Sequence, residues 1–174
     1  MTIHCKTLRD LSVLVALSLL VPAACGQREE PRRSDVPEGV TADFRLARLD
    51  GEGETGPRDF AGKVVVVDFW ATWCGPCHKQ AEELAKVHSE YGEDEVQFLA
   101  VDLGEDEETV RSFVEDNPFP YPVLLDPEDR LTTELGIYGL PTVMVVDRQG
   151  EVSYFATGIL DEDGLRREIE AAGV

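Results

Sequence analysis

The sequence predicts an α/β protein whose sheet is covered on both faces, and three observations carry that reading. The stretch KVVVVDFWA is a continuous β-branched apolar run, the mark of a strand buried on both sides. Apolar runs of this kind alternate with segments of helical period. The chain then closes with two strands joined by a tight turn and a last helix.

The elements follow in order. Phe44 and Leu46 with the turn-rich DGEGETG suggest a short strand and hairpin. After the buried strand, Cys77, Ala81, Leu84, His88 and Tyr91 recur at helical spacing. VQFLAVDL reads as a second buried strand. EDEETVRSFVEDN has acids in its first turn and Val110, Phe113 and Val114 on one face, so it reads as a helix. YPVLLD is a short strand, and Leu131 to Leu135 a short helix. TVMVVD, the turn RQG and EVSYFATG form a hairpin, and Asp161 can cap a final helix carrying Leu165 and Ile169.

The chain of 174 residues is long enough for one well-buried domain, expected over residues 42–174. Its formal net charge of −19 argues against nucleic-acid binding, which needs a basic face. It fits a soluble protein kept monomeric by self-repulsion. Lys6 and Arg9 precede the apolar run Leu11 to Pro22, and small residues follow, which is the layout of a signal peptide over residues 1–24. Ala23-Ala24-Cys25-Gly26 resembles a bacterial lipobox, in which Cys25 would be acylated and become the first residue of the mature chain. Pro22 departs from the usual Leu or Val of that motif, and cleavage without lipid stays open. Residues 25–41, polar and with two prolines, read as a flexible tether.

With Cys5 in the leader and Cys25 at its end, Cys74 and Cys77 remain as one closely spaced pair. Such a pair closes too small a loop to staple a fold, so a reactive role is expected. The strand feeds directly into a helix, which places Cys74 at the helix N-terminus. Unpaired N–H groups there favour thiolate, the reactive form, and can bring a cysteine pKa toward about 7 or below. Cys77 is one turn further in and more buried; Gly75 and Pro76 allow the tight turn. The expected order is attack by Cys74 and resolution by Cys77. Asp68 is an acid inside an apolar strand. Desolvation should raise its pKa and fit it to act as general base for Cys77. Pro141 directly precedes a buried strand, where proline must sit at a start or an edge. A cis bond there would leave the Leu140 backbone free to pair with an extended substrate.

VVDFWATWCGPC together with GIYGLPT and GEVSYFATG closely resembles the thioredoxin superfamily. DFRLARLDGEGETGPRDFAGKVVVVDFWATWC and DNPFPYPVLLDPEDRLTTELGIYGLPT resemble its TlpA/ResA-like branch of membrane-anchored, extracytoplasmic thioredoxins. The resemblance spans roughly residues 42–172. It implies a thioredoxin fold with an N-terminal β-hairpin extension and a helix–strand insert between the dithiol and the cis-proline; Pro141 follows Cys77 by 64 residues, room enough for the insert. It further implies disulfide reduction outside the cytoplasm, with clients such as apocytochrome c or copper-site assembly proteins, a membrane thiol carrier as electron donor, and no cofactor. Several positions depart from the branch. Gln80 replaces a glutamate three residues after the second cysteine, and Asp68 stands where the branch often has asparagine. Glu82 replaces a helix-bending proline, and Val101 is expected at the place of the thioredoxin lysine.

The motif admits other chemistries. C-x-x-C-H could attach a c-type haem with His78 as axial ligand, but Met144, the sole methionine after the motif, fits core packing better. A copper or zinc module would need more ligands than His78 or His88 can add, since His88 is about three helical turns from Cys77. A peroxiredoxin-type thiol peroxidase is the remaining alternative, because the entry segment resembles that family too. Trp73 is expected to line the client groove with Gly75, Pro76, Leu140 and Pro141. Trp70 and Tyr138 are open between groove and core.

Overall fold

The computed structural model describes residues 36–174. The expected leader, Cys25 and most of the tether lie outside the described residues. Seven strands form one sheet in the order β2-β1-β5-β4-β3-β6-β7. They are β1 (Leu46–Arg48), β2 (Glu54–Thr55), β3 (Val64–Trp70), β4 (Val96–Leu103), β5 (Val123–Asp126), β6 (Thr142–Val146) and β7 (Val152–Thr157). The helices are α1 (Gly75–His88), α2 (Glu107–Asp116), α3 (Arg130–Glu134) and α4 (Glu162–Ala171). The centre, β3-β4-β5, is parallel; β1, β6 and β7 join antiparallel.

The local rules expected from sequence hold in the fold. All seven residues of β3 are buried, as a strand covered on both faces requires. The N-caps of α2 and α4 are side-chain bonds: Asp106 accepts from the Thr109 N–H at 2.9 Å and Asp161 from the Gly164 N–H at 2.8 Å. The turn-rich segment after Phe44 makes the antiparallel pair β1–β2.

Side-chain alternation along the strands splits the interior into two cores. One contains Val64, Val66 and Trp70 of β3, Phe98 and Ala100 of β4, Cys74 and Cys77, and Leu84, Val110, Leu165 and Ile169 from α1, α2 and α4. The other contains Val65, Val67 and Phe69 of β3, Leu99 and Val101 of β4, Leu131 and Leu135 around α3, and Ala42, Phe44 and Leu46 from the entry segment. Three helices therefore cover the dithiol face, and α3 with the N-terminal segment covers the other. Val40 already packs against the second core. Among the described residues no helix is long and apolar enough to cross a membrane.

Candidate active site

Cys74 is the N-cap of α1, in extended backbone conformation (φ −86°, ψ 93°), and no side chain caps the helix there. Its sulfur is bonded to that of Cys77. The Cys77 N–H donates to the Cys74 carbonyl at 3.0 Å, closing the first turn. No acidic residue occupies that turn, and Pro76 brings no N–H. The partial positive charge of the helix end is thus left to favour negative charge on Cys74 once the pair is reduced. In the disulfide form both cysteines are nearly sealed, Cys74 at 4% exposure and Cys77 at 1%.

Two side chains hold the loop that carries the motif. The Glu105 carboxylate accepts from the Thr72 N–H and hydroxyl at 2.5 and 2.6 Å. His78 Nε2 donates to the Thr72 carbonyl at 2.9 Å, and its ring sits 5.0 Å from Phe113. Gly104, at φ 81°, turns the chain after β4 in a conformation that glycine favours and leads it back to Glu105. His78 is therefore a brace of the active-site loop. Met144 is buried in the core on the opposite face of the sheet from the cysteines, out of reach of a haem on this motif. His88 packs its ring against Phe98 and Tyr121, at 5.2 and 5.5 Å.

Asp68 is buried on the dithiol face, and neither of its oxygens finds a hydrogen-bond partner. Burial alone pushes its carboxyl up to about 8. Its lateral neighbours are Ala100 on β4 and Val143 on β6. This corrects the expected place of Val101. Side chains alternate along β4, so Val101 belongs to the opposite core and the small Ala100 stands beside Asp68. A second buried acid, missed in the sequence, shares the face with Asp68. Asp102 is paired with Trp70, has no hydrogen-bond partner for either oxygen, and is pushed to about 8 by burial and by the neighbouring Glu105.

Gln80, one turn beyond Cys77, is fully buried. Its amide donates to the Leu160 carbonyl at 3.1 Å and its oxygen accepts the Leu160 N–H at 2.7 Å. Helix α1 is thereby bolted to the segment between β7 and α4, 80 residues away in sequence. Glu82 stands within an unbroken α1 of 14 residues.

The Leu140–Pro141 bond is cis. Pro141 is buried and its carbonyl accepts from the Gly158 N–H at 2.8 Å. Among the described residues neither the N–H nor the carbonyl of Leu140 is engaged in a backbone hydrogen bond, and the Leu140 side chain packs against both cores, one of which holds both cysteines. Trp73 is 72% exposed and Tyr138 is 87% exposed, whereas Trp70 is core, packed on Phe113 and Phe119 at 5.4 and 4.8 Å. Of the two residues left open between groove and core, Trp70 is thus core and Tyr138 surface. No cluster of three or more potential metal ligands occurs among the described residues.

A disulfide at a helix N-terminus, backed by a buried acid, with an open backbone before a cis-proline, is equipped for dithiol–disulfide exchange. Comparison with known proteins agrees. A family model described as Redoxin matches residues 36–172. The chain is 31% identical over 140 residues to the thiol-disulfide oxidoreductase ResA of Geobacillus thermodenitrificans, covering 80% of each. Among solved structures, a thiol:disulfide interchange protein DsbE from Chlorobium tepidum is similar with a TM-score of 0.70 and 31% identity, over 79% of this chain and 98% of that one. The exposed lipoprotein thioredoxin Etrx1 of Streptococcus pneumoniae is similar with a TM-score of 0.66 and 27% identity, over 74% and 98%. The chain belongs to the Redoxin family and is a thiol-disulfide oxidoreductase of the ResA and DsbE kind.

Proposed function

We propose that the protein works as a reductant of client disulfides outside the cytoplasm. The observation that carries this is the bonded Cys74–Cys77 pair at the α1 N-terminus, with a buried, unpartnered Asp68 on the same face. In the reduced enzyme the Cys74 thiolate attacks a client disulfide. A mixed disulfide forms and one client thiolate leaves. Asp68, in its ionised form, takes the proton of the Cys77 thiol. The Cys77 sulfur then attacks Cys74, the second client thiolate leaves, and the enzyme ends with the disulfide seen in the structure. Two electrons pass to the client, and a thiol donor at the membrane restores the dithiol.

Client main chain pairs with Leu140 before Pro141, and Trp73 with Gly75 and Pro76 forms the other wall of the groove. Gly75-Pro76 matches the pair used by thioredoxin, whose potential is about −270 mV against about −120 mV for the oxidant DsbA. Clients of the apocytochrome c or copper-site assembly class fit the ResA-like resemblance. Acylation of Cys25 would hold the domain at the membrane by residues 25–41, an arrangement consistent with the lipoprotein thioredoxin among the structural relatives.

A Cys77→Ser variant should hold its client as a mixed disulfide on Cys74, identifiable by mass spectrometry. Redox titration of the wild type should give a potential near that of thioredoxin. A value near that of DsbA would reverse the direction proposed here. Intact-mass analysis of membrane-purified protein tests the anchor: a mature chain starting at Ala24 without lipid would remove it.

A further inference from the structure

Tyr121 is buried just ahead of β5, and its hydroxyl has no hydrogen-bond partner among the described residues. Its ring is pinned by Phe98 and Phe119, each at 5.7 Å, and by His88 at 5.5 Å. The hydroxyl cannot swing away to find a partner elsewhere. The strand register brings it toward Asp68. Asp68 pairs with Ala100, and Ala100 pairs with Val123 on β5. Tyr121 lies two residues before Val123 and belongs to the same core. Ala100, small and fully buried, is the β4 residue beside Asp68 on the side toward β5. The two groups feel each other: after its own burial, the charge of Asp68 is what pushes the Tyr121 phenol up.

The other elements packed on Asp68 bring little that titrates. From α1 come Cys77 and, against the Tyr121 ring, His88. β6 presents Val143, and α4 presents Leu165 and Ile169. Asp102 is further along β4, beside Trp70. Within this face, the buried donors without a partner among the described residues are the Tyr121 hydroxyl and the Trp70 Nε1–H, and the charge of Asp68 acts on Tyr121. Two carboxyl oxygens and one hydroxyl supply the two to four polar contacts that a buried water needs.

We propose that Tyr121 is a positioning residue of this site: its hydroxyl, through one water held over Ala100, hydrogen-bonds to Asp68 and stabilises the carboxylate form that accepts the Cys77 proton. The inference rests on Asp68 acting as the base. A donor bonded to the charged form of an acid favours that form. Tyr121 therefore lets Asp68 ionise at a lower pH than burial alone would allow.

The test is to follow the Asp68 carboxyl itself, by the infrared carboxyl band of the reduced enzyme that disappears in Asp68→Asn. In Tyr121→Phe, which keeps the ring contacts, the titration midpoint should rise by about one pH unit. Ala100→Val, which adds bulk beside Asp68 and leaves Tyr121 unchanged, should move it the same way. Resolution of the mixed disulfide should slow about tenfold below the midpoint in Tyr121→Phe. In an Asp68→Asn background, Tyr121→Phe should slow it no further. An unchanged midpoint in Tyr121→Phe overturns the proposal, and if that variant does not fold, an unchanged midpoint in Ala100→Val does so. Failure of the base assignment would show differently, as a wild-type resolution rate in Asp68→Asn.

Discussion

The two faces of one sheet follow different rules in this molecule. The face covered by α3 and the entry segment is filled by Phe44, Val67, Phe69, Leu99, Val101, Leu131 and Met144. The buried polar groups at its edge are bonded: Asp126 accepts the Leu131 N–H at 2.7 Å, and the Thr142 hydroxyl meets Gly139 and Thr157. The face covered by α1, α2 and α4 holds the dithiol, and all the buried unpartnered side-chain polar atoms among the described residues sit there, on Asp68, Trp70, Asp102 and Tyr121. Adjacent residues of β3 point to opposite sides, so Val67 and Asp68 sit in opposite environments one residue apart. A polar group buried without a partner costs stability, and a carboxyl costs most when ionised. Both faces carry a packed core, but one bonds its buried polar groups and the other keeps poorly satisfied groups beside the dithiol.

The largest break in that contrast is expected from Asp68→Asn. Removing a general base slows the step it serves by about 10²–10⁴-fold. Stopped-flow tryptophan fluorescence with a disulfide peptide should show the loss in resolution and a smaller effect on the first attack by Cys74. Equal resolution rates from pH 5 to 9 would show that water or another group takes the proton. The same substitution should stabilise the fold, in a pH-dependent way. The folded carboxyl holds its proton to about 8 while the unfolded one releases it near its ordinary value of 3.8. Between those values the unfolded state has fewer protons bound, so wild-type stability falls as pH rises and levels off above about 8. Asp102, also raised from 3.8 to about 8, acts in the same direction. Asp68→Asn should therefore gain little at pH 4 and most at pH 8, read by urea unfolding at both.

The mirror experiment is Leu99→Ala on the quiet face. Leu99 is fully buried next to Ala100, yet points into the opposite core. Deleting it should cost about 2–5 kcal/mol of stability. The reduction potential and the pH profile of the dithiol should stay unchanged, measured by redox titration at a temperature where the variant is folded. A shifted potential would show that the two faces are coupled through the sheet.

Much of the noisy face was legible in the sequence, and much of its wiring was not. Asp68 was visible because an acid interrupts an apolar run, and Cys74 because a strand runs straight into a helix. Asp102 was hidden because it falls near the end of VQFLAVDL, where an acid ordinarily meets solvent. The sequence alone suggests Val101 beside Asp68 because the register of β3 against β4 is not written in either strand; the pairing Asp68↔Ala100 puts Val101 on the other side. Trp70 and Trp73 look alike in the motif. The last strand residue is buried and the loop residue is 72% exposed, a difference set by where β3 ends. Tyr121 depends on two registers in succession. The Gln80 contact joins segments 80 residues apart and follows no local period.

Gln80 offers the finest test of the contrast, because its buried side chain is hydrogen-bonded at both its nitrogen and its oxygen on the face that holds the unpartnered groups. Its amide uses a donor and an acceptor at once, on the carbonyl and the N–H of the same residue, Leu160. Gln80→Glu keeps the shape and changes only that pairing. An ionised glutamate can still accept the Leu160 N–H but faces the Leu160 carbonyl with no proton to offer. A protonated one can donate, and burial favours the protonated form. At low pH the variant should therefore behave like the wild type. As pH rises it should lose about 1–3 kcal/mol, the cost of a buried acceptor left without its donor. The new carboxyl would also stand one helical turn from Cys77, so the pH profile of resolution should gain a second step. Thermal unfolding at pH 5 and 8 measures the first effect and stopped-flow rates measure the second. Equal stability of variant and wild type at both pH values would mean that the loop around Leu160 moves to release the carboxylate, and that the bolt between α1 and α4 is not what holds the dithiol helix in place.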